Sequence, residues 1–120
     1  RGIPRLRRYE IARSHLERCG IAHTISKRPD ELSVGEQQRV AMARALTGQP
    51  DVLLADEPTS NLDARSAALL LALLKELHSE GRTVIVASHD RTLVSCATAV
   101  LELDMGTVKL GGDKPADGDE

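Results

Sequence analysis

The sequence predicts an α/β domain built on a parallel sheet, and three observations carry that expectation. Val52 to Ala55 is a short, continuous apolar run of the kind that suits a strand covered on both faces. "TVIVAS", Thr83 to Ser88, is a second run rich in β-branched residues. A Leu- and Ala-rich stretch that Asp63 can cap runs between them to about His78, where Gly81 stops it. Strand, helix, strand, with a short helix near Thr92 to Cys96 and a third strand "AVLEL" to follow, is the order that builds a parallel sheet.

The remaining elements follow from local signals. Leu6 to about Cys19 reads as a helix, with Leu6, Ile11 and Leu16 loosely on one face and Gly20 as its stop. "LSVGEQQRVAMARALTGQP" carries the marks of a well-defined helix. Ser33 is a good N-cap and Glu36 stands three residues later, which makes a capping box. Val40, Ala41 and Ala45 give this helix a thin apolar face, and Gly48 and Pro50 end it. After "AVLEL" comes a turn at Met105-Gly106 and a last short strand, "TVKL".

Composition narrows the function classes. The chain has 120 residues, room for one small domain with a real core. Tyr9 is its only aromatic, so stacking modes of nucleic-acid binding lack their platform. A formal charge of -2 gives no general reason to expect DNA, RNA or an anionic membrane surface as partner. "RGIPRLRR" opens the chain as a basic cluster and "GGDKPADGDE" closes it as an acidic run expected to be disordered. The longest apolar run, "AALLLALL", is far short of a membrane span. Cys19 and Cys96 form no metal or redox motif, no signal peptide is visible, and a reduced, cytosolic setting fits. The first residue is Arg, so a segment of something longer is expected.

Ligands of an open parallel sheet sit beyond the carboxyl ends of its strands. The first strand delivers Asp56 and Glu57 to that edge, and the second delivers Ser88, His89 and Asp90. Side chains alternate along a strand, so adjacent acids point apart and can divide labour. One carboxylate can hold a hydrated Mg²⁺, while the other positions and deprotonates a water. A neighbouring imidazole could contact a phosphate oxygen. An isolated Asp-Glu pair, or a lone His89, would instead simply begin a loop. Ser33 and Glu36 have a comparable double reading. A capping box explains both, yet the amides of a helix N-terminus also form an anion site, and Gly35 lets a phosphate come close to the backbone. Asp63 divides the same way, between helix cap and interface contact.

"LSVGEQQRVAMARAL", "DVLLADEPTSNLD" and "VIVASHD", in that order, closely resemble the ATP-binding cassette (ABC) transporter ATPases. The resemblance covers roughly Pro29 to Asp90. It implies a partial P-loop NTPase fold, α/β with a parallel sheet and helices, and an ATPase that uses ATP and Mg²⁺. It implies that Leu32 to Glu36, with Leu32, Ser33, Gly35 and Glu36, is the signature that contacts nucleotide. Val52 to Glu57 becomes the Walker B strand, with Asp56 on Mg²⁺ and Glu57 as catalytic base. Ser60 to Asp63 becomes the D-loop, and His89 the switch histidine at the γ-phosphate. Residues 1–50 then belong to the helical subdomain, 51–110 to the ATPase core and 111–120 to the tail. The implied partners are a second nucleotide-binding domain, closing head to tail, and a membrane permease. The implied location is the cytoplasmic face of the membrane, with no nucleic acid involved. The motifs look most like the subgroup serving lipoprotein release and macrolide-type export. An ABC ATPase of DNA repair or chromosome organisation, or a truncated inactive remnant, is the alternative reading.

Two departures stand out. The signature reads LSVGE where the family's common form is LSGGQ, which makes Val34 and Glu36 substitutions. The phosphate-cradling Walker A loop, G-x-x-x-x-G-K-[ST], is absent: the spacing from Gly106 to Gly111 is right, but Gly112 stands where Lys is needed. The family's glutamine loop and adenine-stacking aromatic are missing as well. The chain is therefore expected to be the C-terminal half of a nucleotide-binding domain, inactive by itself, with strand edges that the missing half would pair.

Overall fold

The computed structural model describes residues 2–111, which form two compact units divided between Ala87 and Ser88. The first unit contains helices α1 (Arg5–Arg18) and α2 (Val34–Leu46), strand β1 (Val52–Asp56), helix α3 (Ala64–Ser79) and strand β2 (Thr83–Ala87). Two short 3₁₀ turns, Ala22–Thr24 and Pro29–Glu31, lie between α1 and α2. β1 and β2 are parallel, in register from Val52 opposite Thr83 to Asp56 opposite Ala87. α3 makes the crossover that a parallel pair requires and packs against β2. No helix among the described residues is long and apolar enough to cross a membrane.

The core is aliphatic. Leu70, Leu73, Leu74 and Leu77 repeat at helical spacing on α3 and are buried with Met42, Ala43 and Leu46 of α2, Leu53 of β1 and Ile21. α3 ends where Gly81 takes a left-handed conformation (φ 87°), with Gly81 N–H donating to His78 O and Arg82 N–H to Leu77 O. That pair of bonds closes the last turn, and a glycine adopts the backbone at little steric cost. The same pattern at Gly20 ends α1. Arg18 then bridges α1 to α3 through Glu76 and Glu80.

Three expectations are corrected. The apolar face of α2 is not Val40, Ala41 and Ala45: Ala41 and Ala45 are exposed, and the buried stripe is Met42, Ala43 and Leu46. Packing partners decide which face is buried, and the short alanines border an open hollow instead. β1 is not covered on both faces. Leu53 is buried, but Leu54 is 74% exposed and stands opposite Ile85, also exposed, on the uncovered side of the sheet.

The third correction concerns β3 (Leu101–Asp104), which does not join the parallel pair. In the second unit, after helix α4 (Arg91–Cys96), it forms an antiparallel hairpin with β4 (Thr107–Leu110). The turn explains this. Met105 and Gly106 both have positive φ, 47° and 79°, the geometry of a two-residue hairpin loop. One hairpin face carries Leu101, Leu103, Val108 and Leu110, all exposed, and the other carries Glu102, Asp104, Thr107 and Lys109. Beyond Gly111, the acidic run expected to form a tail lies outside the described residues.

Candidate nucleotide site

Asp56 is the last residue of β1 and is exposed, while Glu57 is half-buried. The Glu57 N–H donates to Ala87 O at 2.8 Å, so the parallel ladder runs one bond past the strand. Glu57 then turns into the left-handed region, with φ 44°, which for a non-glycine residue costs on the order of 1 kcal/mol. The two acids therefore part company because the backbone breaks at Glu57, and simple strand alternation is not the whole reason. Ser60 N–H closes back on Glu57 O at 3.1 Å, and Asn61 is also left-handed, so residues 57–63 form a tight, strained turn. Pro58 is buried at its base.

Asp63 ends this turn as the N-cap of α3, its carboxylate accepting the Ser66 N–H at 2.7 Å. Hydrogen bonds from the Ser66 hydroxyl and amide hold the Asp63 carboxyl below the usual carboxylate range, with Arg39 and Arg65 adding to the effect. A group whose pKa is lowered by folding stabilises above its unfolded value and loses that contribution as pH falls through the folded value. Substituting Asp63→Asn keeps a capping side chain but removes the titration. Circular-dichroism melts of the 120-residue chain, taken from pH 5 downward, should show a shallower acid decline for this variant than for the unaltered chain. Identical pH profiles would rule the cap out as an acid-sensitive contact.

The signature residues gather at the start of α2. Leu32 is half-buried, and its carbonyl accepts from Gln37 Nε2 at 3.2 Å. Ser33 is the N-cap, as its sequence suggests: its Oγ accepts the Glu36 N–H at 3.2 Å. The Glu36 carboxylate reaches back to the Ser33 hydroxyl, also at 3.2 Å. The single Ser33 hydroxyl proton is thus engaged by Glu36, and a phosphate accepting that proton would have to displace the carboxylate. Glu36 Oε2 is shielded from solvent and lacks a hydrogen bond, but His23 Nε2 lies 3.5 Å away and Lys27 Nζ 4.0 Å away. The Lys27 ammonium offsets part of the charge that Glu36 brings in place of the family's Gln.

Gly35 is tight against its own chain. A Cβ there would sit 3.0 Å from the Ser66 hydroxyl and 3.7 Å from a Leu62 methyl. Any side chain at position 35 would press on Ser66, so the glycine eases the approach of α2 to the start of α3, whatever it does for a ligand. Sequence reasoning passed over Gln38, Arg39 and Ser66. Gln38 Nε2 donates to Pro58 O at 3.0 Å, and Arg39 Nε donates to Gly35 O at 3.3 Å. Their spacing from Gly35, three and four residues along one helix, was the available signal. A shallow hollow of about 160 Å³ opens beside this contact, lined by Gln38, Ala41, Ala45, Leu54, Asp56 and Pro58 among others.

His89 lies in the second unit and is exposed; beside it the Asp90 N–H bonds the Ser88 hydroxyl at 3.0 Å, and Asp90 caps α4 through the Thr92 N–H. The first unit thus brings together Asp56, Glu57, Asp63 and the signature residues, while His89 follows the end of β2 in the chain. Cys19 is buried, and burial pushes its thiol pKa up, which fits a packing role.

A parallel strand that ends at Asp56, a turn that begins at Glu57, a capped helix start packed on that turn and an α/β crossover are the C-terminal part of an ATP-binding cassette fold. The chain belongs to the ABC transporter family, and its 120 residues correspond to a C-terminal portion of the ATP-binding domain. The ABC transporter family model matches residues 5–60. The macrolide export ATP-binding/permease protein MacB of Rhodospirillum rubrum is 47% identical over 115 residues, covering 96% of this chain and 18% of that protein. The pyoverdine export ATP-binding/permease protein PvdT of Pseudomonas aeruginosa is 46% identical over 107 residues, covering 89% of this chain and 16% of that protein. Among solved structures, the post-hydrolysis dimer of the cassette MJ0796 bound to ADP and Pi superposes with a TM-score of 0.82 at 32% identity. That match covers 91% of this chain and 48% of the cassette, so the chain spans about half the length of the solved relative.

Proposed function

We propose that this chain supplies the Walker B, D-loop, switch and signature elements of an ABC ATPase that energises a membrane transporter from the cytoplasmic face. The observation that carries this reading is the strained turn at Glu57: a carboxylate at the tip of a parallel strand, tied to the helix that bears the signature. Glu57 accepts the proton of the water that attacks the γ-phosphate. Asp56 is an exposed, hard oxygen donor, which fits Mg²⁺, an ion that takes one or two carboxylates and completes its shell with water and phosphate oxygens. When bound there, the ion would neutralise charge on the phosphates. His89 contacts the γ-phosphate.

Ser33, Gly35 and the amides of the α2 N-terminus serve the ATP held by a second nucleotide-binding domain, where the positive helix end favours anions. Leu32 seats that helix start, Glu36 tunes its charge, and Asp63 lies at the interface between the two domains. The export functions named for MacB and PvdT make an exporter permease the favoured membrane partner. The uncovered sheet face of Val52, Leu54 and Ile85 fits a core whose other half lies against it.

Two preparations test the reading. The 120-residue chain alone should bind ATP weakly and show no Mg²⁺-dependent hydrolysis above background, because its sequence contains no G-x-x-x-x-G-K-[ST] loop. Joined to the N-terminal half of a relative's cassette, the same chain should hydrolyse Mg-ATP, measured by phosphate release. Robust hydrolysis by the chain alone, or a folded but inactive joined cassette, would reject it.

A further inference from the structure

The geometry points to Gln38 as a positioning residue: it ties the signature helix to the turn that carries Glu57, so that the two move as one body. The inference rests on the reading of Ser33 and Glu57 given above. Glu57 occupies a backbone region that a side chain disfavours, so its position must be imposed by neighbours. From β2, the Ala87 carbonyl fixes its amide. From α2, Gln38 Nε2 donates to the carbonyl of the next residue, Pro58, at 3.0 Å across twenty residues of sequence. That bond is partly buried and so competes with little water.

The far end of the turn is held by the same helix. Gly35, one helical turn before Gln38, lies against Leu62 and Ser66, and Ser66 is the residue that Asp63 caps. A Cβ at Gly35 would sit 3.0 Å from the Ser66 hydroxyl, so the start of α2 lies close to the start of α3. A shift of α2 would thus be felt at Pro58 through the Gln38 bond and at Leu62 and Ser66 beside Gly35. In a head-to-tail dimer the α2 N-terminus meets one ATP and Glu57 serves the other, so Gln38 links closure at one site to placement of the base in the next.

The test begins with the 120-residue chain and amide hydrogen exchange by NMR. Gln38→Met keeps the length of the side chain but has no donor. It should speed exchange at Glu57 and Ser60 by about tenfold or more, while Leu70 and Leu74 within α3 stay unchanged. Gln38→Glu supplies the second variant. Its carboxylate cannot donate at neutral pH, but its protonated form can, so protection at Glu57 should recover on acidification relative to the unaltered chain. In the joined cassette, Gln38→Met should lower kcat about tenfold with little change in ATP affinity. Unchanged exchange in both variants, a uniform loss of protection that includes α3, or an unchanged kcat beside altered exchange would each overturn the inference. A joined cassette with no activity before substitution sinks the functional reading instead, and exchange at Glu57 still decides whether Gln38 holds the turn.

Discussion

Substituting Glu57→Gln in the joined cassette should lower ATP hydrolysis by about 10²–10⁴-fold while leaving nucleotide binding intact. The amide has the shape of the carboxylate, and the backbone around it is held by bonds that the substitution does not touch: Glu57 N–H to Ala87 O, Ser60 N–H to Glu57 O and Gln38 to Pro58 O. What is lost is a group able to take a proton at neutral pH. Binding that persists without turnover should trap the ATP-bound dimer, visible as a larger species in size-exclusion chromatography with Mg-ATP. Phosphate release gives the rate, and equilibrium titration with a fluorescent nucleotide gives the affinity. A loss of only about twofold would assign the proton to another group.

The second large effect comes from Ser33. The structure argues against a bulky residue at Gly35 as the probe, because its side chain would first strike Ser66 of the same chain. Ser33→Asp avoids that clash. Asp caps a helix as well as Ser does, so the Glu36 N–H keeps an acceptor, but the hydroxyl proton that Glu36 accepts is lost and two carboxylates then stand together where a phosphate should arrive. A single domain should bind ATP nearly normally, and ATP-driven dimerisation and hydrolysis should be lost. Mixing Ser33→Asp with Glu57→Gln then separates the two sites. In a two-fold dimer each site takes its signature from one chain and its base from the other. The mixed dimer thus has one site with both defects and one with neither. An equal mixture should regain roughly a quarter of the unaltered rate, provided one intact site turns over alone. No recovery, with mixed dimers shown to form, would place the signature and the base in a single subunit's site.

Much of this arrangement is written locally. Ser33 and Asp63 cap their helices as their side chains dictate, and each accepts an amide three residues on. The leucine stripe of α3 and the glycine after it set that helix and its end, since helix periodicity and a left-handed stop depend on near neighbours alone. The α/β class and the order of elements follow from the same short-range signals, and the three motifs were enough to show the family resemblance.

Tertiary structure decided what depends on distant partners. α2 buries Met42 and Leu46 because those are the side chains its neighbours reach, although its alanines looked equally apolar in sequence. β3 pairs back on β4, because the turn at Met105 and Gly106 returns the chain antiparallel before any other strand is offered. The Gln38 bond to Pro58 exists only once α2 reaches the turn after β1, where Glu57 takes its left-handed backbone. The sequence by itself determined which residues could hold a metal, take a proton or meet a phosphate. Packing across twenty residues decided how the helix start and the acid turn were joined, since a strained turn keeps its shape only where the rest of the fold supports it.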